Sequence, residues 1–536
     1  MNQKDWETTD VVICGCGPTG ALLSAYLGRA GVHNVVLEKE PTITTDPRGI
    51  ALDDDGIRYL QGLGLYDSIY TKIGTCESPY RHHTRETNKP ITQPWEDSIS
   101  SIAGATGHVG YIGHKQPVLE SHIRDCMPSS HCSLRCNATV LRLEEDEDWT
   151  YCTYRTATGE EHSLRAKFFV GADGKTGYTR KQYLEPRGVM LEKFHESVNL
   201  LFWELPVLTL QQGLLRGNLG GIELANYHTN TPVASQLPSV EARLLTRAVG
   251  GQGIVSGFRD AISLSWRLAM LCRYHSNKKS HHDVLKSWYE ERKQQLKLSL
   301  ATTVANGVMV CETHPLKIFL RDWYIWFLQF IPSWRRQLQH GRRNAAIFRY
   351  KYSSGMPFIP DLNGGLYLPQ IYCRRTEDDE ILFTDDAIYG SDNTTSLFRL
   401  FVYVQDSSEI PAIKHALEGI ENWSRGELRA TDIPFILEKG DIDPTSSSKG
   451  RNIFHVATAD EFANSPLCND RPKPSDYDPF LLGNKVLGKY IIVRMDRTVF
   501  ASCANEDQLR GAVQTMLGYL YGDTSAEYSS KIYSTM

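Results

Sequence analysis

VVICGCGPTG, residues 11–20, is the stretch that decides the fold of this chain, and ALLSAYLGRA, residues 21–30, continues it. The first four residues are a β-type run, the glycines that follow have GxGxxG spacing, and residues 21–30 are typical of a helix. A second apolar run, Val35–Leu37, ends on Glu38, which lies 18 residues after Gly20. Strand, glycine turn, helix, strand and acidic residue occur in the order of a dinucleotide-binding βαβ unit.

Each residue of this turn has a physical task. Gly15 permits the tight turn, Gly17 lets backbone N–H groups approach a pyrophosphate at the start of the helix, and Gly20 lets the helix lie against the strand. Glu38 can accept hydrogen bonds from a ribose diol. The other candidate cofactor contacts in this unit are Pro18, Thr19 and Lys39. The alternative is a glycine-rich turn without a ligand, and the pattern alone does not separate FAD from NAD.

Composition narrows the class of protein. A chain of 536 residues predicts two or three domains, and 41% hydrophobic with 23% charged residues is typical of a globular protein. A net charge of −5 offers no basic surface for nucleic acid. The scattered cysteines contain no CxxC pair, so we expect no metal site. The first ten residues have no apolar signal core, and we therefore expect a cytoplasmic protein.

The longest apolar run is Trp323–Ile331. It is far shorter than the roughly 20 residues that span a bilayer, so we expect no transmembrane segment. Charged residues on both sides of the run favour an amphipathic helix: Arg321, Asp322, Arg335 and Arg336. We expect this helix to be packed, and the alternative is a helix that contacts a membrane surface.

Further segments carry a resemblance to a known family. They are PRGIALD at 47–53, FVGADG at 169–174, GGQGIVSGFRDA at 250–261 and, more weakly, the segment 113–124. With residues 15–38, they make the chain resemble the FAD-dependent aromatic hydroxylases, the group A flavoprotein monooxygenases. This group includes p-hydroxybenzoate hydroxylase, phenol hydroxylase and 3-(3-hydroxyphenyl)propionate hydroxylase, and the chain looks most like fungal members of the last kind. The resemblance implies FAD as the cofactor.

The resemblance also implies contacts to FAD. Arg48 would reach the pyrophosphate, where a guanidinium suits two phosphate oxygens, although a surface ion pair is an alternative. Gln116 matches a family residue that hydrogen-bonds the FAD ribose or phosphate, and its alternative is a helix-capping amide.

Three other segments match positions near the flavin. Asp173 would lie beside FAD and the transient path of NADPH, with a purely structural turn as the alternative. The backbone amides of Gly251, Gln252 and Gly253, at a helix N-terminus, would stabilise negative charge on the reduced flavin. Asp53 is a weak catalytic candidate, and a solvated acidic turn is an equal alternative. No other catalytic residue is assigned.

The chain departs from the family in two ways. The family normally has GDAAH and two prolines immediately before GGQG, whereas this chain has LLTRAV at 244–249. Only residues 175–249 separate the DG and GGQG segments, which predicts a shortened substrate sheet. One explanation is that coding sequence has been lost or altered here. The other is that the protein itself lacks part of its substrate pocket. We favour the first explanation.

The resemblance implies an α/β fold with several parts. We expect a Rossmann-like FAD-binding domain of the p-hydroxybenzoate hydroxylase type and a C-terminal thioredoxin-like α/β domain. The predicted boundaries are 1–185 and 244–300 for the two parts of the FAD-binding domain, 186–243 for the substrate-domain remnant, 301–360 for a helical connector and 361–536 for the C-terminal domain.

The C-terminal domain has its own sequence pattern. Its predicted elements are strands at 398–404 and 490–494 and a closing helix at 506–520. Because this domain has no CxxC, thiol redox activity is not expected, and in relatives the domain serves packing or dimerisation. A homodimer is therefore left open.

The implied activity is hydroxylation of a phenolic or other electron-rich aromatic small molecule with O2 and NADPH or NADH, in fungal secondary metabolism or aromatic catabolism. The nicotinamide would bind transiently, because the chain has one complete dinucleotide fingerprint. Two alternatives stay open at this point. One is a degenerate or truncated flavin-fold protein without hydroxylase activity, and the other is a flavin oxidase or Baeyer–Villiger enzyme on the same scaffold.

Overall fold

The computed structural model describes most of the chain outside its middle. The described residues are 6–45, 51–75, 105–108, 110–174, 176–188, 204–205, 223–225, 246–247, 252–274, 278–310, 314–328, 330–332, 334, 347–390, 395–438, 452–469, 471 and 477–522. Of residues 186–243, the predicted substrate-domain remnant, these ranges include only 186–188 and two short strands, at 204–205 and 223–225. The predicted shortening of the substrate sheet therefore lies largely outside the described residues.

The helices follow one another along the chain. They are α1 (Pro18–Arg29), α2 (Asp54–Gln61), α3 (Tyr66–Ser68), α4 (Gln116–Asp125), α5 (Gln252–Tyr274), α6 (Lys278–Val310), α7 (Pro315–Leu328), α8 (Thr384–Tyr389), α9 (Ile410–Ala416), α10 (Ile420–Trp423), α11 (Ala459–Ala463), α12 (Leu481–Val486) and α13 (Glu506–Tyr521). In the described ranges, none of them is both long and apolar enough to cross a membrane.

The strands alternate with these helices. They are β1 (Glu7–Cys14), β2 (Asn34–Leu37), β3 (Ala51–Asp53), β4 (Gly74–Thr75), β5 (Tyr111–His114), β6 (Cys132–Arg135), β7 (Thr139–Glu145), β8 (Thr150–Arg155), β9 (Glu161–Gly171), β10 (Glu204–Leu205), β11 (Glu223–Ala225), β12 (Thr246–Arg247), β13 (Tyr372–Arg375), β14 (Ile381–Phe383), β15 (Phe398–Val404), β16 (Phe435–Leu437), β17 (Ile453–Val456), β18 (Tyr490–Arg494) and β19 (Val499–Cys503).

The chain divides into two compact units. One comprises residues 1–52 and 114–325, and the other comprises residues 53–113 and 326–536. Residues 53–113, which the sequence placed within the FAD-binding domain, thus group with the C-terminal part of the chain. Each unit has a mixed sheet of its own.

The first unit is built on a sheet with the strand order β6-β2-β1-β9-β8-β7, and β11 pairs with β9. The strands β6, β2, β1 and β9 run parallel to one another, whereas β8, β7 and β11 are added to the sheet in antiparallel fashion. The predicted strand, turn, helix and strand are confirmed as β1, α1 and β2. Helix α1 begins at Pro18, earlier than the apolar pattern indicated, because proline is well suited to the first helical position.

Two buried ion pairs join α5 to α6 in the first unit. Arg267 lies 2.8 Å from Glu291, and Arg292 lies 2.5 Å from Asp260. Burial raises the pKa of Asp260 to about 7, although Arg292 acts in the opposite direction. Breaking either buried pair would leave an uncompensated charge between the two helices. The two helices are therefore joined by paired buried charges at two points.

The second unit has a sheet with the order β14-β13-β17-β16-β15-β18-β19. Strands β15 and β18 and the closing helix α13 confirm the elements predicted there. Their buried residues pack into one apolar cluster that includes Phe401, Ile436, Ile491, Val493 and Val499. The alternating strands and closing helix thus build a core of their own in this unit.

A buried carboxylate holds three parts of the second unit together. Asp385, on α8, accepts hydrogen bonds from Arg58 Nε at 2.8 Å, from Arg58 Nη2 at 2.6 Å and from Arg497 Nε at 2.7 Å. Arg58, on α2, also donates to the carbonyl of Leu368. This cluster explains why the segment that carries α2 groups with the C-terminal residues.

The apolar helix α7 differs from the sequence prediction. It is helical as expected, but seven of its large apolar side chains are exposed by 45% to 64%. The expectation that the helix is packed is therefore wrong for this face. Amphipathic spacing indicates that a helix has an apolar face, but it does not indicate what covers that face.

Candidate functional site

The glycine turn lies at the carboxyl end of β1, beside the end of β9. Gly15 N donates to the carbonyl of Leu37 at 2.8 Å, and Ala172 N donates to the carbonyl of Cys14 at 2.7 Å. Gly15 has φ of +97°, and a Cβ there would lie 2.6 Å from the Ala172 oxygen. Only glycine fits this position, for reasons of both conformation and space. The turn is thereby fixed at the edge where parallel α/β sheets bind ligands.

Gly17 and Gly20 serve different purposes in this turn. A Cβ on Gly20 would lie 2.1 Å from the Gly15 carbonyl oxygen, so Gly20 is required for close packing of helix against strand. A Cβ on Gly17 would meet no described atom within 4 Å, and the φ of −68° at Gly17 suits any residue. Gly17 is the N-cap of α1, and no side chain caps this helix start. The open space at Gly17 thus lies where backbone N–H groups can receive an anion.

Glu38 closes the turn from the end of β2. It is 9% exposed, and its Oε2 accepts a hydrogen bond from Cys16 N at 2.7 Å while Oε1 accepts one from Glu40 N at 2.9 Å. Each carboxylate oxygen has two lone pairs, so Glu38 retains acceptor capacity for a hydroxyl group. Lys39 instead forms an exposed ion pair with Glu40, which contributes little to stability.

Arg124 braces the same turn from α4. Its Nη2 and Nε donate to the carbonyl of Cys16 at 2.7 and 3.2 Å, and Nη2 also pairs with Glu120 at 2.6 Å. The sequence did not assign this residue a role. Its spacing from Gln116 is helical, and both residues were expected on one helix, but that spacing does not reveal the contact with Cys16.

Cys16 lies inside the turn and is fully buried. Burial raises the pKa of its thiol to about 12. The thiolate is the reactive form of cysteine, so burial disfavours the reactive form of this side chain at neutral pH. The position is filled by a small buried side chain.

Asp173 organises the DG segment. Its Oδ2 accepts from Thr179 N at 2.8 Å, from Thr179 Oγ1 at 3.0 Å and from Cys14 Sγ at 3.5 Å. Burial raises the pKa of this carboxyl above its usual value. These contacts give Asp173 a structural role beside Gly15, and they leave one carboxylate oxygen, Oδ1, as a further acceptor.

Gln116 and His114 lie next to each other where β5 leads into α4. Gln116 is the first residue of α4 and is half-buried. His114 is 8% exposed, and neither of its ring nitrogens has a hydrogen-bond partner among the residues that the structure describes. Burial lowers the pKa of His114 to about 4, so the ring is neutral at physiological pH. The sequence did not single out His114, because only the structure reveals its burial.

Asp53 has a local role in the second unit. It is the N-cap of α2, where its Oδ1 accepts a hydrogen bond from Gly56 N at 3.0 Å. It is 6% exposed, so the alternative of a solvated acidic turn is wrong at this position. Aspartate is a preferred N-cap residue, which accounts for it without a catalytic role.

The remaining candidates lie partly outside the described residues. Arg48 and Gly251 are outside them altogether. Gln252 and Gly253 form the start of α5, which packs against α1. The structure therefore brings together the glycine turn, Glu38, Asp173 and the helices that begin at Gln116 and Gln252.

Comparisons with known proteins agree with this arrangement. Residues 8–212 match the protein family described as FAD binding domain. The chain is 24% identical over 399 residues to 3-(3-hydroxy-phenyl)propionate/3-hydroxycinnamic acid hydroxylase from Burkholderia cenocepacia (strain HI2424), an alignment that covers 62% of this chain and 69% of that one.

Two solved structures share the fold. One is aklavinone-11 hydroxylase in a ternary complex with FAD and aklavinone, with a TM-score of 0.55 and 16% identity over 96% of this chain and 99% of that one. The other is OxyS anhydrotetracycline hydroxylase from Streptomyces rimosus, with a TM-score of 0.55 and 17% identity over 95% and 98% of the two chains.

Proposed function

This chain belongs to the FAD-dependent aromatic hydroxylase family, and from that premise we propose that it hydroxylates a phenolic or similarly electron-rich aromatic small molecule with O2 and NADPH or NADH. It is an FAD-dependent monooxygenase that acts on aromatic compounds. One observation supports this placement of FAD above all others. A Cβ at Gly17, at the start of α1 where no side chain caps the helix, would meet no described atom within 4 Å.

The residues present fit the phosphate end of FAD. The first turn of α1 offers backbone N–H groups and the positive end of a 12-residue helix, which together favour a pyrophosphate. Glu38 lies at the end of β2, where it would accept hydrogen bonds from the ribose hydroxyls. Arg124 fixes the Cys16 carbonyl and so holds the turn in its ligand-binding form.

FAD, when bound, supplies the redox chemistry that activates O2 for transfer to the aromatic ring. The chain's own residues bind and orient the cofactor and the substrate, and they exclude water. Asp173 binds Thr179 in the segment after β9, and α5 packs against α1. No nucleophilic side chain is required for this reaction, and buried Cys16 does not provide one.

The substrate class follows from the relatives. The Burkholderia hydroxylase is named for 3-(3-hydroxy-phenyl)propionate and 3-hydroxycinnamic acid, both of which are phenols. We expect a phenol for this chain as well, because an electron-rich ring is what such chemistry requires. The nicotinamide would bind transiently near Asp173, since one dinucleotide fingerprint serves FAD.

The experiment is turnover of the purified, FAD-loaded protein with a panel of simple phenols. NADPH and NADH consumption would be followed together with product mass under 18O2. The proposal predicts a product that is heavier by one 18O atom and depends on a reduced nicotinamide. An oxidised product without incorporated oxygen would contradict hydroxylation and favour an oxidase.

A further inference from the structure

His114 is a buried histidine whose hydrogen-bonding capacity is not used within the part of the chain that the structure describes. The residue is 8% exposed, and both Nδ1 and Nε2 are shielded from solvent and lack a hydrogen-bond partner there. Buried polar atoms of side chains are rarely unpaired in folded proteins, because an unpaired atom has lost its bonds to water without replacement. Two unpaired nitrogens on one ring therefore point to a partner that is not part of the protein.

Helix α4 fixes where this ring lies in the first unit. His114 stands two positions before Gln116, the first residue of α4, and α4 packs against α1. The segment after α4 lies against the far end of α1, since a Cβ on Gly28 would be 2.9 Å from Pro128 Cδ and 2.5 Å from Cys132 Sγ. The two helices therefore run in the same direction, and His114 lies toward the end of α1 that bears the glycine turn.

Arg124 connects the same helix to the glycine turn. Its Nη2 donates to the carbonyl of Cys16 at 2.7 Å. The backbone of Arg124 lies about 12 Å along the helix axis from Gln116, so the start of α4 is well beyond it in the direction of the turn. A ligand held at the start of α1 thus lies at the same end of this helix pair as His114.

The chemistry of the ring selects one part of FAD. Burial lowers the pKa of His114 to about 4, so at neutral pH one ring nitrogen donates a hydrogen bond and the other accepts one. A hydroxyl group has the same two capacities. The anionic pyrophosphate is matched by the N–H groups of α1, and Glu38 is placed for the ribose of the adenosine half. The hydroxyl groups of the ribityl chain remain as the matching part of the cofactor.

We propose that a ring nitrogen of His114 hydrogen-bonds a ribityl hydroxyl of FAD and so positions the flavin half of the cofactor. This inference rests on the proposed function, because it takes FAD as the ligand of the glycine turn. It adds a cofactor contact that the glycine motif does not contain.

Titration of the flavin-free, full-length protein with FAD and with ADP tests this contact. ADP carries the adenosine and pyrophosphate of FAD but has neither the ribityl chain nor the flavin. His114→Leu should weaken FAD binding by about tenfold or more and leave ADP binding unchanged. Unchanged FAD affinity would overturn the proposal, and it is the result expected if the nitrogens bind only buried water. An equal loss for FAD and ADP would also overturn it, since the contact would then lie in the adenosine half.

Thermal unfolding of the flavin-free variant separates this role from a structural one. Leucine removes two unpaired polar atoms, so flavin-free His114→Leu should unfold at the same temperature as the wild type or at a higher one. A lower unfolding temperature, or failure to fold, would show that the ring has partners within the protein and would overturn the proposal.

His122→Leu is the matched control on the same helix. His122 is half-buried, and its Nδ1 donates to the carbonyl of Val118 at 2.9 Å, so this ring already has a partner in the protein. Its replacement should leave FAD affinity unchanged. An equal loss of FAD affinity in this control would assign the effect to α4 as a whole and would overturn a specific role for His114.

These measurements need no turnover, so they are separate from the test of hydroxylation. A wild-type protein that binds FAD through His114 but hydroxylates no phenol would contradict the proposed reaction and support this contact. A wild-type protein that binds no FAD would contradict both.

Discussion

Gly17 and Gly20 belong to the same glycine motif, but they have different roles in the structure. Gly20 is required by the protein's own backbone, whereas a Cβ at Gly17 would meet no atom of the described residues within 4 Å. The motif predicted both roles, because the spacing of a strand, a tight turn and a helix leaves little geometric freedom. A substitution at each position therefore separates folding from ligand binding.

We predict that Gly17→Val folds but binds FAD at least tenfold more weakly. The valine meets no described atom within 4 Å, so only a modest capping cost of about 1 kcal/mol is expected. Its side chain occupies the space that the pyrophosphate requires. Flavin occupancy by absorbance, with unfolding monitored by circular dichroism, measures both effects.

Gly20→Ala is the control for this substitution. Its Cβ would collide with the Gly15 carbonyl, so the loss should appear as instability of the protein and not as selective loss of flavin. A folded Gly17→Val protein with full flavin occupancy would show that the pyrophosphate lies elsewhere.

Asp53 can be tested with a pair of substitutions. Asp53→Ala should lower the unfolding free energy by about 1 kcal/mol, because α2 loses its N-cap. Asp53→Asn should retain both stability and hydroxylation, since asparagine caps equally well. An asparagine variant of normal stability that no longer hydroxylates would instead assign the carboxylate to catalysis.

His114 gives a prediction about pH. Because its pKa is lowered to about 4 in the folded protein, its neutral form contributes stability that is fully present above pH 6.5 and is lost as the pH falls toward 4. The loss is of the order of 3 kcal/mol. Replacement with leucine should flatten the acid limb of the unfolding free energy. Denaturant titrations of the flavin-free protein at several pH values measure this, and an unchanged acid limb would contradict it.

At the scale of elements, Asp385 is the point where α2, α8 and the turn between β18 and β19 meet. Two guanidinium groups share one carboxylate, and all three side chains are almost completely buried. Such a cluster tolerates the loss of a partner poorly, because the remaining charges have no access to water.

Asp385→Asn should destabilise the second unit by about 3 kcal/mol or more, since it leaves two buried cations without their counter-charge. Although burial alone would raise the pKa of Asp385, Arg58 and Arg497 outweigh it and lower the pKa to about 2. This contribution to stability is therefore present above pH 4 and lost as the pH falls toward 2. Acid unfolding of wild type and variant provides the comparison, and parallel curves would contradict the assignment.

The sequence predicted some elements well and others poorly, for identifiable reasons. Strands β15 and β18 were found at their predicted bounds, because short β-branched and aromatic runs between turn residues have few alternatives. The environment of α7 was not predicted, since periodicity defines a face without defining its partner. Arg124 and His114 were missed because their importance arises from burial and from contacts distant in sequence.

At the scale of the whole molecule, the sequence also did not predict which residues group into each compact unit. Residues 53–113 follow the dinucleotide unit directly, and the resemblance placed both in the FAD-binding domain. The ion cluster that binds them to the C-terminal residues involves pairs more than 300 positions apart. Short-range sequence patterns do not predict contacts between residues so far apart in the chain.

The departure from the family before the GGQG segment gives a prediction for the whole enzyme. The resemblance implies that the aspartate of the family's GD segment makes a charge-assisted hydrogen bond to FAD, and this chain has no such aspartate at 244–249. A bond of this kind is worth roughly 1.5–3 kcal/mol. We therefore expect weak FAD retention, and NADPH oxidation largely uncoupled from hydroxylation. Stoichiometry of NADPH consumed, H2O2 released and phenol hydroxylated tests this. Tight FAD with efficient product formation would show that the rest of the chain compensates.

The distance in sequence between Arg58 and Asp385 has a consequence for biosynthesis. The arginine leaves the ribosome 327 residues before the carboxylate that neutralises it. At about 5–20 residues per second, this interval is roughly 15–65 s. The nascent chain must carry a cation destined for the interior, together with the apolar side chains around it, until the C-terminal strands have been synthesised. The second unit therefore completes its folding only after Asp385 has been synthesised, and chaperones have that interval in which to bind it.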